Sequence, residues 1–230
     1  LNYFDNEIGK NEYTLFLTAD HGATDAPGFL KEKKIPINYF NSKKFNYHIE
    51  KALIKLFGTK YLISTNSNQQ IFLNDELIKK LNLSSKIVKQ SIIDVIQSFP
   101  GIDNVYSSEQ VLSEIDDHFL KLIRNGFNKN LSGDIVYTMM PNWVYYRKGS
   151  THGRRFNQHT HVPLIFFGNG IKRGSISRET DVIDIAPTIA SVLGISSPNA
   201  ATGKVIFEAI DDWHSKNSIN SIFGIYFSVI

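Results

Sequence analysis

The sequence predicts an α/β protein, a three-layer sandwich with a largely parallel central sheet and a small α+β insertion. Three observations carry this. An apolar run of strand length over 13–18 ends abruptly in Asp20-His21-Gly22. A second run, Val162-Pro163-Leu164-Ile165-Phe166-Phe167, is unbroken and closed by Gly168, the pattern of a strand covered on both faces. A helix with start and stop signals over 181–194 follows it, so strand and helix alternate on one chain.

The elements follow in order. Apolar residues at 1, 4 and 8 open the chain in the middle of an amphipathic helix, which reads as a fragment of something longer. After strand 13–18 comes a loop containing Pro27 and Pro36, with a short helical stretch at Gly28-Phe29-Leu30. Residues 46–57 carry helical apolar spacing and stop at Gly58. Strands at 61–64 and 70–73 pair across the polar turn Thr65-Asn66-Ser67-Asn68. Ser84 or Ser85 caps a helix over 86–99 that Pro100-Gly101 ends. A short strand at Val105-Tyr106 and a helix over 116–125, closed by Gly126, complete the insertion. Strands at 135–140 and 143–146 join through Pro141-Asn142, and Pro187 sits near the first turn of the last helix, where proline is tolerated. The division expected is therefore core at 1–45, an α+β cap at 46–130, core again at 131–215, and a tail at 216–230. The apolar stretch from 218 onward has no clear periodicity and, at about 13 residues, is too short to span a bilayer.

Composition removes several function classes. With no cysteine, disulfides, thiolate nucleophiles and cysteine-type zinc sites are excluded, so any metal must be held by Asp, Glu and His. A net charge of +3, with Lys and Arg spread along 230 residues, gives no nucleic-acid footprint. The run Lys31-Glu32-Lys33-Lys34 and the group Asp116-Asp117-His118 read as solvated faces.

Two segments carry chemistry. Asp20 and His21 lie where the first core strand ends, and in open α/β sheets ligands gather at carboxyl strand ends. Both side chains are zinc-ligand types; taken alone, the pair reads more readily as a capping carboxylate beside a satisfied histidine. Ahead of the second core strand stand Thr151-His152-Gly153 and His159-Thr160-His161, whose His-x-His spacing would put both rings on one face of a strand. Arg154 and Arg155 could hold a phosphate bidentately or simply lie in an exposed loop.

The run 14–22, the Thr151-His152-Gly153 motif, and His159-Thr160-His161 leading into 162–168 together resemble the alkaline phosphatase superfamily. The similarity is to its bacterial zinc phosphomonoesterases with a threonine nucleophile, related to the nucleotide pyrophosphatase/phosphodiesterases. Pro27-Gly28-Phe29-Leu30 and Asp184-Ile185-Ala186-Pro187-Thr188 also match that branch. The resemblance implies two zinc ions clamping attacking and leaving oxygens in phosphoryl transfer. It implies Asp20 and His21 as ligands of one zinc and His152 as a ligand of the other, with His159 and His161 supporting them. The nucleophile and the remaining ligands belong to an upstream segment not found in these residues, so the chain alone is expected to be inactive. The expected substrate is a small phosphate monoester, hydrolysed through a phospho-enzyme intermediate, and the expected location is periplasmic or secreted. A phosphodiesterase of the same fold and a non-catalytic binding module are the alternatives.

Overall fold

The computed structural model describes residues 1–113, 117–152, 156–211 and 224–229. In chain order the elements are α1 (Asn2–Glu7), β1 (Thr14–Leu17), α2 (Pro27–Glu32), β2 (Asn38–Tyr39), α3 (Ser42–Phe57), β3 (Ile63–Ser67), β4 (Gln70–Leu73), α4 (Asp75–Lys80), α5 (Ser85–Gln97), β5 (Ile102–Ser107), α6 (Ser108–Leu112), α7 (His118–Asn125), β6 (Ile135–Met139), β7 (Trp143–Val144), α8 (Asn157–Thr160), β8 (His161–Gly168), β9 (Gly174–Ile176), α9 (Ile185–Leu193) and β10 (Gly224–Val229). They divide into two compact units, Leu1–Thr24 with Arg155–Ile230, and Asp25–Arg154. The expected insertion at 46–130 lies wholly inside the second unit.

The first unit is built on a sheet of order β1-β8-β10-β9. β8 runs antiparallel to β1 and to β10, while β10 and β9 are parallel. The apolar run at 162–167 marks a central strand, as expected, but hydrophobicity reports burial and not direction, and the pairings among described residues are mixed. Val162, Leu164 and Phe166 are buried, whereas Pro163 on the opposite face is exposed, so one face of β8 carries the core. That core gathers Leu164, Phe166, Ile171, Ile185, Ile206 and Ala209. β10 is the described part of the 216–230 tail, which thus contributes a strand.

α9 is preceded by a single 3-10 turn, Val182–Asp184. Asp184 is 6% exposed, and its carboxylate accepts hydrogen bonds from the backbone N–H groups of Lys204 (2.7 Å) and Asp181 (3.1 Å). A buried carboxylate is tolerated because backbone donors satisfy it. Gly194 closes the helix in the left-handed conformation at φ 64°.

The second unit holds the larger core. Its sheet runs β3-β4-β6-β5, all antiparallel, with α3 and α5 supplying Phe45, Ile49, Leu53, Val88, Ile92 and Ile96 to the core. These residues recur at intervals of four, one stripe of each helix. Asn41, Asn74, Ser84 and Asp117 each accept a backbone N–H as N-caps, which satisfies first-turn donors. Asp117 is exposed, as expected, and caps α7, which starts at His118, two residues after the expected position 116; Asp116 lies outside the described residues. α3 starts at Ser42, four residues before the expected position 46, because Asn41 caps it. The strands around Pro141-Asn142 do not form a hairpin: β6 pairs with β4 and β5, while β7 pairs parallel with β2.

Candidate metal centre

β1 delivers the chain to Asp20 and His21, and the loop beyond is fastened to the segment leading into β8. The Gly22 N–H donates to the His159 carbonyl at 2.8 Å. Thr24 Oγ1 lies 2.7 Å from His159 Nε2, and both side chains are buried. The approach leaves no room for a side chain at Gly22, where a Cβ would collide with the Gln158 carbonyl. The glycine of Asp-His-Gly is thus demanded by a neighbouring backbone as much as by the turn.

Asp20 and His21 remain accessible, with side chains 87% and 38% exposed. Asp20 Oδ2 stands 3.4 Å from His21 Nε2, and Oδ1 accepts the His21 backbone N–H at 3.1 Å. His21 Nδ1 lies 2.8 Å from the Gly22 carbonyl oxygen. A carbonyl can only accept, so Nδ1 is the donor in this contact. That is the arrangement in which a histidine ligates through one nitrogen while a carbonyl orients the other. The 3.4 Å separation also fits a tetrahedral edge of roughly 3.3–3.4 Å around zinc bonded at about 2.0–2.1 Å. The two side chains fit a zinc ion as a pair. Among the described residues, no group of three or more His, Asp or Glu side chains gathers into a metal-holding cluster.

The histidines ahead of β8 separate into three situations. His159 is 2% exposed and bound to Thr24, a structural role. His161 is exposed at the first position of β8. His152 is exposed and belongs to the second unit, whereas Asp20 and His21 belong to the first. Gly153, Arg154 and Arg155 lie outside the described residues. The β1–β8 register pairs Thr14 with Gly168 and Leu17 with Ile165, where β1 ends. Beyond it, the Gly22–His159 hydrogen bond keeps the two segments side by side.

The accessible Asp-His pair thus follows β1, which has no buried residue and stands at one end of the sheet order, so the strand before the pair is not the core strand the sequence predicts. Residues 1–162 match the family described as type I phosphodiesterase / nucleotide pyrophosphatase, and the chain belongs to that family. It is 36% identical over 215 residues to a Myroides odoratus protein named calcium-transporting ATPase, a match covering 92% of this chain and 39% of that protein. It is 31% identical over 212 residues to the alkaline phosphatase PafA of Elizabethkingia meningoseptica, covering 91% and 39%. The crystal structure of wild-type PafA superposes with a TM-score of 0.83 at 30% identity, over 91% of this chain and 40% of that one. The fold is therefore alkaline-phosphatase-like, and the chain spans about two fifths of the length of these relatives.

Proposed function

We propose that this chain contributes to a zinc-dependent phosphatase that hydrolyses small phosphate monoesters through a phospho-enzyme intermediate, with the nucleophile on a segment outside these residues. The observation that carries the reading is the Asp20–His21 pair, its oxygen and nitrogen 3.4 Å apart and Nδ1 of His21 turned to a carbonyl. Family membership and the likeness to named alkaline phosphatases support it. Asp20 and His21 hold one zinc, and His152 contributes to a second. Zinc supplies Lewis-acid charge for the phosphoryl oxygens. His161, in the same unit as Asp20 and His21 and exposed at the start of β8, is the alternative to His152 as the remaining ligand. A periplasmic or secreted location goes with the proposal; among the described residues no helix is long and apolar enough to cross a membrane.

Calorimetric titration with zinc tests the site. Saturable binding by the 230-residue chain is expected, weakened at least tenfold by Asp20→Asn or His21→Gln, a change of about 1.4 kcal/mol or more. His152→Gln and His161→Gln decide between the two readings. The isolated chain should not hydrolyse p-nitrophenyl phosphate in excess zinc, and robust turnover would contradict the assignment of the nucleophile elsewhere. In the longer protein, monoester turnover exceeding that of bis-p-nitrophenyl phosphate is expected; the reverse ranking supports the diesterase alternative.

A further inference from the structure

The outward face of α3 departs from the charge balance of the rest of the chain. The sequence sets 25 Lys and Arg against 22 Asp and Glu, a formal net charge of +3. α3 holds four of those cations, Lys43, Lys44, Lys51 and Lys55, and a single carboxylate, Glu50. The 21 cations and 21 anions elsewhere cancel, so this one helix accounts for the whole formal charge.

The four lysines share one side of the helix. Phe45, Ile49 and Leu53 face the core. At about 3.6 residues per turn, the lysines fall within an arc of roughly 120° on the other side, together with Tyr47 and Ile54. All six are exposed, Tyr47 at 64% and Ile54 at 52%. Among the described residues none of the four lysines forms an ion pair, while Glu50 is engaged by Lys60 at 3.3 Å.

Nothing within the helix favours this arrangement. Lys43 and Lys44 sit in the first turn, which contains no acidic residue, at the end where the helix dipole opposes a cation. Lys51 and Lys55 stand four residues apart, the spacing at which like charges oppose the helix. α3 is held instead by its Asn41 cap and its buried stripe, which leaves the outward face to serve a partner.

We propose that this face docks the chain on an anionic bilayer surface. Its ammonium groups complement lipid phosphates. Exposed apolar side chains set among lysines suit the headgroup boundary, where a tyrosine ring buries its body and keeps its hydroxyl wet. A soluble polyanion such as a nucleic acid would use the charge alone and leave Ile54 without a role, which favours the bilayer. None of these residues belongs to the metal-type side chains, so the proposal goes beyond the phosphatase reading and is read out without zinc.

Vesicle co-sedimentation of the full 230-residue chain tests it, with phosphatidylcholine alone and with a third of that lipid replaced by phosphatidylglycerol. Binding to the anionic vesicles only is expected, and it should be lost in about 1 M salt, where charges are screened within about 3 Å. The pair Lys51→Gln and Lys55→Gln should lower partitioning by roughly tenfold or more with an unchanged melting temperature, because both side chains are exposed. The pair Tyr47→Ser and Ile54→Ser, with the charge intact, should weaken binding as well. No binding, equal binding to both vesicle types, or undiminished binding in either double variant would overturn the proposal. Capture by heparin or an oligonucleotide with none by the anionic vesicles would assign the face to a soluble polyanion and overturn it too.

Discussion

The two units spend their residues differently. In the second, α3 and α5 lay apolar stripes on an antiparallel sheet, and Phe45, Ile71, Val88, Ile92 and Ile96 are fully buried. In the first, the described core is small, and Phe16 and Leu17 of β1 are 46% and 55% exposed immediately before the Asp20–His21 pair. The unit with the larger described core carries His152, and the unit with the smaller described core carries Asp20 and His21. Packing and chemistry are distributed unequally, so damage to each should read out differently.

The largest effect expected is in the second unit. Phe45 is fully buried and stacks at about 5 Å centroid distance on Phe40, Phe99 and Tyr137. Phe45→Ala should cost about 3–5 kcal/mol, read as lost hydrogen-exchange protection across α3 and α5. Phe166→Ala, equally buried but in the smaller cluster, should cost less because fewer neighbours surround the void. Equal costs would break the comparison. Next in size is Gly22→Ala. Its methyl group would be driven against the Gln158 carbonyl, so the loop must move, at a cost of about 1–3 kcal/mol, and zinc affinity should fall with it. His159→Ala, which leaves buried Thr24 without its ring partner, should cost about 1–3 kcal/mol. Asp20→Asn, at a side chain 87% exposed, should leave stability within about 0.5 kcal/mol while zinc uptake drops.

What was legible in the sequence divides along physical lines. Asp20-His21-Gly22 stood out because two ligand types follow an apolar run, and the α/β class followed from runs and periodicity that need no tertiary knowledge. Gly58 and Ser84 announced a helix end and a helix start through local chemistry. Strand direction was not legible, since an apolar run looks the same in either orientation. The end of β3 was missed by several residues because Thr65, Asn66 and Ser67 read as turn residues, while the turn itself is Asn68-Gln69; cross-strand pairing overrode a weak local preference. The tie from Gly22 and Thr24 to His159 spans well over a hundred residues, a contact that no local pattern encodes. The amide pair of Asn46 in α3 and Asn66 in β3 was invisible for the same reason: the two meet only after folding.

The smallest effect sharpens the comparison through acid. Among the described residues each unit carries a tight ion pair with an exposed carboxylate: Lys89–Glu109 at 2.7 Å in the second, and Arg178–Glu208 at 2.6 and 2.8 Å in the first. Partial burial alone would raise the Glu109 carboxyl, but hydrogen bonds from Lys89, its own backbone and Ser107, with the Lys89 charge, pull it down to about 2. Glu208 is held to about 2, chiefly by the Arg178 hydrogen bonds. A carboxyl depressed in the folded state contributes stability above its unfolded value, near 4.5, and loses it as pH falls from there towards 2. The Glu109 and Glu208 side chains are 70% and 49% exposed, so solvent screening holds each contribution below about 1 kcal/mol. Glu109→Gln should flatten the acid limb of hydrogen-exchange protection between pH 4.5 and 2 only in the second unit, and Glu208→Gln only in the first. In 1 M salt, where charges are screened within about 3 Å, both wild-type limbs should shrink. If either variant moves protection in both units alike, the two stability ledgers are coupled and the division of labour drawn from their cores fails.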